Sequence, residues 1–138
     1  MEEKALIDSN ILIYMYAEDS PKRITAISLL RQCFSGKRTF YLALQNIGEF
    51  CSASIKKYKL EPTKVNTITQ ALLRSEHFLK LHYKESTFTI AIDLVKDSGL
   101  QFWDAVLVAT MKENAIETIY TEDATFGKIE GIKAVNPF

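Results

Sequence analysis

Short apolar runs of strand length alternate along this chain with longer segments of helical period, and that alternation constrains the fold more than any other feature. Strands are expected over residues 4–7, 40–44, 78–81, 118–121 and 132–135. Asp8-Ser9 offers a helix cap before Ile11, Leu12, Tyr14 and Met15. Ser20-Pro21 opens a second helix, with Ile24, Ile27, Leu30 and Phe34 at inward spacing and Gly36 as its end. Asn46 is a candidate cap for a helix carrying Ile47, Phe50, Cys51, Ser54 and Ile55 on one face. Glu61-Pro62-Thr63 starts another, through Val65, Ile68 and Leu72. Residues 87–96 form a helix with Ile90, Ala91, Leu94 and Val95 inward, broken by Ser98-Gly99. Residues 101–113 are apolar almost all round, the mark of a buried helix. Asn136-Pro137 stops the last strand.

Strands that alternate with helices require an α/β layered fold whose sheet is largely parallel. The 138 residues are expected to form one domain. Seventeen basic residues balance seventeen acidic ones, so no overall field advertises a nucleic-acid partner, although a local basic patch is compatible with that balance. Cys33 and Cys51 have neither a disulfide framework nor zinc spacing, and read as buried thiols of a reducing compartment. Neither a secretion signal nor a run of membrane-spanning length is evident, so a cytoplasmic location is expected.

Against this apolar pattern, four carboxylates stand out. Asp8 ends the run Ala5-Leu6-Ile7, and Glu49 interrupts Ile47-Gly48-Glu49-Phe50. Asp104 lies inside Phe102-Trp103-Asp104-Ala105-Val106-Leu107, and Asp123 closes Ile119-Tyr120-Thr121-Glu122-Asp123. Burying a carboxylate is unfavourable unless a cation or hydrogen bonds compensate it. In a parallel sheet the connecting helices run opposite to the strands, so helix starts and strand ends share one edge. Asp8 and Asp123 are at strand ends, and Glu49 and Asp104 are near helix starts. All four therefore converge on the carboxyl edge, where open α/β folds bind ligands. Taken singly, each acid could be only a cap, a partner of the helix dipole or a turn residue. Taken together they point to a shared divalent cation. An oxygen-only ligand set selects Mg²⁺ or Mn²⁺ over zinc. His77 and His82 flank the third strand and read as surface or edge residues. Such an ion, with open positions, suits phosphoryl chemistry: it polarises a phosphate oxygen, activates water and stabilises the leaving oxygen. Ser9 and Asn10 are placed to orient Asp8 or the ion's waters, and Thr121 to support Asp123.

The segments Ile7-Asp8-Ser9-Asn10-Ile11-Leu12-Ile13-Tyr14, Asn46-Ile47-Gly48-Glu49-Phe50, Phe102-Trp103-Asp104-Ala105-Val106-Leu107-Val108-Ala109 and Thr121-Glu122-Asp123-Ala124-Thr125-Phe126 occur in that order, before the ending Ile129 to Phe138. With them, the whole chain resembles the PIN-domain ribonucleases, specifically VapC-type toxins of type II toxin–antitoxin pairs. The resemblance implies a PIN-like three-layer fold with a mainly parallel sheet of about five strands between helices. It implies Mg²⁺- or Mn²⁺-dependent endonuclease cleavage of RNA, in which activated water attacks in line and leaves a 5′-phosphate and a 3′-hydroxyl. By position, Asp8, Glu49, Asp104 and Asp123 become the metal-binding acids, with Asn10 and Thr121 as polar support. Many relatives carry a further acid where this chain has Thr125, so one ion is expected. The resemblance also implies a VapB-type antitoxin whose tail blocks the acidic cleft, and a homodimer. Lys56, Lys57 and Lys59, interleaved with Tyr58, are the candidate RNA contacts; a solvated helix end is the alternative meaning of that cluster. The rival functions are a DNA-directed nuclease with the same acids, a phosphoacceptor receiver domain and a catalytically silent binding module. A receiver wants paired acids after its first strand and a mid-chain aspartate at a strand end. Here the first strand carries one acid, and the middle acid is a glutamate in a helix.

Overall fold

The computed structural model describes residues 3–138, apart from the side chain of Phe34, whose expected inward placement lies outside the described residues. β1 (Glu3–Ile7) runs straight into α1 (Ser9–Tyr16), with Asp8 as the cap: its carboxylate accepts the Ser9 N–H at 2.7 Å. α2 (Lys22–Phe34) follows, and the Ser20 hydroxyl accepts the Lys22 N–H at 3.2 Å. β2 (Arg38–Ala43) passes without a loop into α3 (Leu44–Lys56), and α4 (Pro62–Arg74) leads to β3 (Phe78–Leu81). α5 (Glu85–Ser98) ends at Gly99, whose φ of +72° is the left-handed conformation glycine tolerates best. α6 (Phe102–Glu113), β4 (Thr118–Tyr120), a short 3-10 helix (Ala124–Lys128) and β5 (Lys133–Val135) complete the order.

The five strands pair in the order β3-β2-β1-β4-β5, and every pairing is parallel. The α/β class and the five-stranded sheet expected from the sequence are therefore present. Side chains alternate across the sheet, as the two-residue period of a strand dictates. Ala5, Ile7, Phe40, Leu42 and Phe78 face a core closed by α1 to α4. Leu6, Ala43, Leu81 and Ile119 face the opposite core, closed by α5, α6 and the 3-10 helix. Residues Ala105 to Met111 of α6 are all buried, in keeping with its uniformly apolar sequence.

In three places the structure departs from the sequence reading. Ile24 is 78% exposed, whereas Ala26, Leu29 and Cys33 fill the core face of α2. The buried stripe is thus offset from the one that spacing alone selected. Asn46 is not a cap: β2 ends at Ala43, the helix begins at Leu44, and Asn46 is fully buried within the first turn. Ile55, expected inward, is 40% exposed at the end of α3. Among the described residues, no helix is long and apolar enough to cross a membrane.

The strand order also places the site. From β1 the chain winds outward to β2 and β3, then returns to β4 on the other side of β1. A crevice opens where winding reverses, outside the carboxyl ends of the two adjacent strands. Ile7 pairs with Tyr120, so Asp8 and Thr121 are the residues that leave the sheet side by side at that crevice.

Candidate metal centre at the switch point of the sheet

Asp8 is buried, and its two oxygens are held by donors from three parts of the chain. Oδ1 accepts from the Ser9 N–H at 2.7 Å, the Ser9 hydroxyl at 3.4 Å and Asn46 Nδ2 at 3.2 Å. Oδ2 accepts from the Thr121 hydroxyl at 2.7 Å and Asn10 Nδ2 at 3.5 Å. The backbone N–H of Asp8 donates to the Tyr120 carbonyl at 3.0 Å, which ties the residue to β4. Thr121 is the hub: its oxygen also accepts from Asn10 Nδ2 at 3.2 Å and from the Asp123 N–H at 2.9 Å. Ser9, Asn10 and Thr121, singled out from the sequence, thus all touch Asp8. Thr121 reaches Asp123 through its backbone.

Asn46 is the residue that sequence reasoning assigned wrongly. Its fully buried amide donates to Asp8, and its position three residues before Glu49 puts both on neighbouring turns of α3. That i, i+3 relation was legible in the sequence; the burial was not. Glu122 was also missed. It turns away from the crevice to pair with Lys22 Nζ at 2.7 Å and to accept from the Tyr14 hydroxyl at 3.0 Å. The pair joins residues a hundred positions apart, so no local signal announces it.

The remaining acids surround Asp8 electrostatically. Glu49 belongs to an exposed helical position, yet its carboxyl group is pushed up to about 7. Loss of water around it is the largest cause, followed by the charges of Asp8 and Asp104. Asp104, half-buried in the first turn of α6, is raised by desolvation, then by Asp123 and Asp8. Asp8 is raised by burial, and the hydrogen bonds from Thr121 and Ser9 oppose that shift more strongly than the charge of Asp123 adds to it. Each of the four acids thus figures in a repulsion with at least one other. Asp123 caps the 3-10 helix, and its Oδ1 accepts the Thr125 N–H at 3.0 Å and the Thr125 hydroxyl at 2.6 Å. Thr125 therefore fastens Asp123.

The donor set suits a hard divalent cation. It consists of carboxylate oxygens together with Asn10 Oδ1 and Asn46 Oδ1, two buried amide oxygens with no hydrogen-bond donor among the described residues. No three of the described acids, histidines or cysteines are drawn into a closed ligand cage. Mg²⁺ does not require one, since it binds through one or two carboxylates and keeps several waters. His77 and His82 are exposed beside β3.

Two clefts open from this edge. One, of about 550 Å³, is lined by Ser9, Asn10, Glu49, Lys56, Lys57 and Tyr58, among others. The other, of about 360 Å³, is lined by Gln101, Asp104, Asp123, Thr125 and Lys128 with neighbouring residues. Lys56 and Lys57 thus share a cleft with Glu49, whereas Lys59 is not part of that lining.

Residues 5–132 match the PIN domain family. No curated protein sequence matches the chain. Among solved structures, the fold is similar to a toxin–antitoxin complex from Klebsiella pneumoniae, at a TM-score of 0.69 and 21% identity over 97% of this chain and 98% of that one. It is also similar to the sarcin-ricin-loop-cleaving VapC toxin of Mycobacterium tuberculosis, at a TM-score of 0.69 and 16% identity over 87% and 90% of the two chains. The DNA-bound VapBC of Salmonella typhimurium aligns at a TM-score of 0.70 and 15% identity over 99% of each chain. Identities this low carry the fold alone. The family match is a separate finding and spans nearly the whole sequence, so this chain belongs to the PIN-domain family.

Proposed function

We propose that this protein is a Mg²⁺- or Mn²⁺-dependent endoribonuclease and the toxin of a toxin–antitoxin pair. One observation carries the nuclease reading. Asp8, Glu49 and Asp104, from three separate segments, are each raised first by burial and then by the negative charge of other acids, Asp123 among them. Such an arrangement is unfavourable for the fold and is useful where a cation binds.

Asp8, Asp104, Asp123 and Glu49 would hold the ion. When bound, it would supply Lewis-acid polarisation of a phosphate oxygen and an activated water for attack on phosphorus. Ser9, Asn46, Thr121 and Asn10 fix the orientation of the Asp8 carboxylate, so little reorganisation is needed as substrate arrives. Thr125 holds Asp123 in the same way. Lys56 and Lys57 line the cleft beside Glu49 and would neutralise backbone phosphates, with Tyr58 available to stack. Lys59 extends that basic run on the exposed surface. In-line displacement would release a 5′-phosphate and a 3′-hydroxyl.

The toxin role is supported by similarity to structures of toxin–antitoxin complexes. It entails a small VapB-type antitoxin whose tail occupies the acidic cleft, a homodimer and a cytoplasmic site of action. The deciding experiment incubates purified protein with matched single-stranded, hairpin and DNA oligonucleotides in Mg²⁺ or in EDTA. RNA cleavage in Mg²⁺ alone, leaving 5′-phosphate ends and absent in Asp104→Asn, is the expected result. Equal cleavage of DNA would make it a DNA nuclease. Mg²⁺ binding without cleavage of any substrate would make it a binding module.

A further inference from the structure

Four aromatic side chains meet on the surface beside the acids, and the fold leaves three of them in solvent. Trp103 is 52% exposed, Tyr83 44% and Phe88 37%, while Phe102 is half-buried beneath them. Their ring centroids lie 6.5 Å apart for Tyr83 and Trp103, 5.4 Å for Tyr83 and Phe88, and 5.2 Å for Phe102 and Trp103. Phe88 and Phe102 stack almost parallel at 6.1 Å. Single exposed apolar residues are ordinary, but a contiguous aromatic cluster marks a contact surface.

Its position ties it to the acids. Trp103 immediately precedes Asp104, and its carbonyl accepts a hydrogen bond from Gln45 Nε2 at 2.8 Å, four residues before Glu49 on α3. A cavity of about 370 Å³ opens between the first half of α3 and the segment that follows β3, lined by Leu44, Gln45, Gly48, His82 and Tyr83. Gly48 supplies an independent observation. It lies inside α3 without a left-handed φ, and a Cβ built there would meet nothing within 4 Å. A mid-helix glycine weakens a helix relative to alanine, so neither backbone conformation nor packing accounts for it. It keeps the α3 surface bare immediately before Glu49, at the mouth of that cavity.

We propose that Tyr83 and Trp103, with the bare backbone at Gly48, form a shelf on which an unpaired base of the RNA strand stacks beside the acids. The inference rests on the ribonuclease reading and deepens it, because it makes the substrate a strand with splayed bases and not a duplex. Exposed aromatic faces accept any base, and continuity with the acids places them where a strand held at its scissile phosphate must continue. The exposed His82 and Lys84 flank Tyr83 and offer donors to the phosphates of that strand. The Lys56–Lys57 cleft lies on the other side of Glu49, so the strand would run from one to the other across the acids.

Trp103 is the chain's single tryptophan, so its fluorescence reports this surface alone. Wild-type protein in EDTA is titrated with single-stranded RNA and with RNA of the same length carrying abasic positions, while the anisotropy of labelled RNA records binding separately. Quenching of Trp103 by intact but not abasic RNA is expected. Binding should weaken about ten-fold in Tyr83→Ala and in Trp103→Ala, and recover in Trp103→Phe. Gly48→Gln should melt no lower than the parent yet bind RNA more weakly. RNA binding without any change in Trp103 emission would overturn the shelf and leave the nuclease reading intact. Failure to bind or cleave any RNA would overturn both. A Trp103 signal that follows protein concentration in the absence of RNA would place a second copy on this surface and overturn the shelf, leaving the homodimer and the nuclease reading intact.

Discussion

Asp8 and Asp104 look equivalent in the sequence, as acids set in apolar runs, and the expectation from sequence is that replacing either by asparagine abolishes cleavage without weakening the metal-free fold. Their surroundings separate them. Asp8 accepts from Ser9, Asn46, Thr121 and Asn10, whereas no protein donor among the described residues bonds the Asp104 carboxylate. Asp8→Asn turns an amide NH₂ toward groups that themselves donate. The new side chain can keep its oxygen toward the Ser9 N–H and Asn46, and the Thr121 hydroxyl can rotate to accept its NH₂. The Asn10 amide, however, must flip to accept and gives up its hydrogen bond to Thr121. The expected result is a loss of about 1–2 kcal/mol in EDTA by urea denaturation, together with loss of cleavage. Asp104→Asn only relieves repulsion, so it should melt at or above the parent temperature while equally inactive. Thr121→Val keeps the shape and removes the hydroxyl between Asp8, Asn10 and Asp123. A cost of about 1–3 kcal/mol is expected, since a buried carboxylate loses a donor. Unchanged stability in Thr121→Val would show that water replaces the hydroxyl without loss.

At the scale of elements, each acid owes its place to what anchors the segment behind it. The 3-10 helix that Asp123 caps is pinned by Phe126, only 1% exposed in the core under α6. Phe126→Ala should therefore lower stability by about 3–5 kcal/mol and, at temperatures where the protein stays folded, reduce kcat by loosening Asp123. Wild-type kcat in a destabilised but folded variant would show that Thr125 alone is sufficient to hold Asp123. α6 was recognisable as a buried helix because nearly every residue is apolar, and Asp104 was recognisable as its lone first-turn charge. α2 was harder. Its apolar residues outnumber those the sheet covers, so periodicity chose a stripe containing Ile24 while packing selected Ala26, Leu29 and Cys33. The start of α3 was misjudged because a strand that continues directly into a helix needs no capping side chain in the loop.

For the whole molecule, the crowded acids couple stability to pH and to the cation. Glu49 has a carboxyl pKa pushed from 4.5 to about 7, and Asp8 and Asp104 shift in the same direction. The folded state therefore keeps protons that the unfolded chain has already released. Where the unfolded state binds fewer protons, stability falls as pH rises, here through the window from about 4.5 to about 7. In EDTA, calorimetric melting temperatures should be higher near pH 5 than near pH 8, and Glu49→Gln should flatten the difference. Saturating Mg²⁺ should raise the melting temperature most at the higher pH, since a ligand of the folded state adds stability by mass action. A melting temperature that climbs with pH in EDTA would contradict the mutual repulsion. The sequence by itself determined the α/β class, the alternation of elements and the edge on which four carboxylates emerge, because strand and helix periodicity and chain direction are local properties. Only the tertiary structure decided which groups neutralise the burial of Asp8. It also showed that Asn46 donates to Asp8, that Thr125 fastens Asp123, and that Glu122 pairs with Lys22. Those outcomes depend on strand order: placing β4 beside β1 joins Thr121 to Asp8 across more than a hundred residues, and no local pattern encodes that contact.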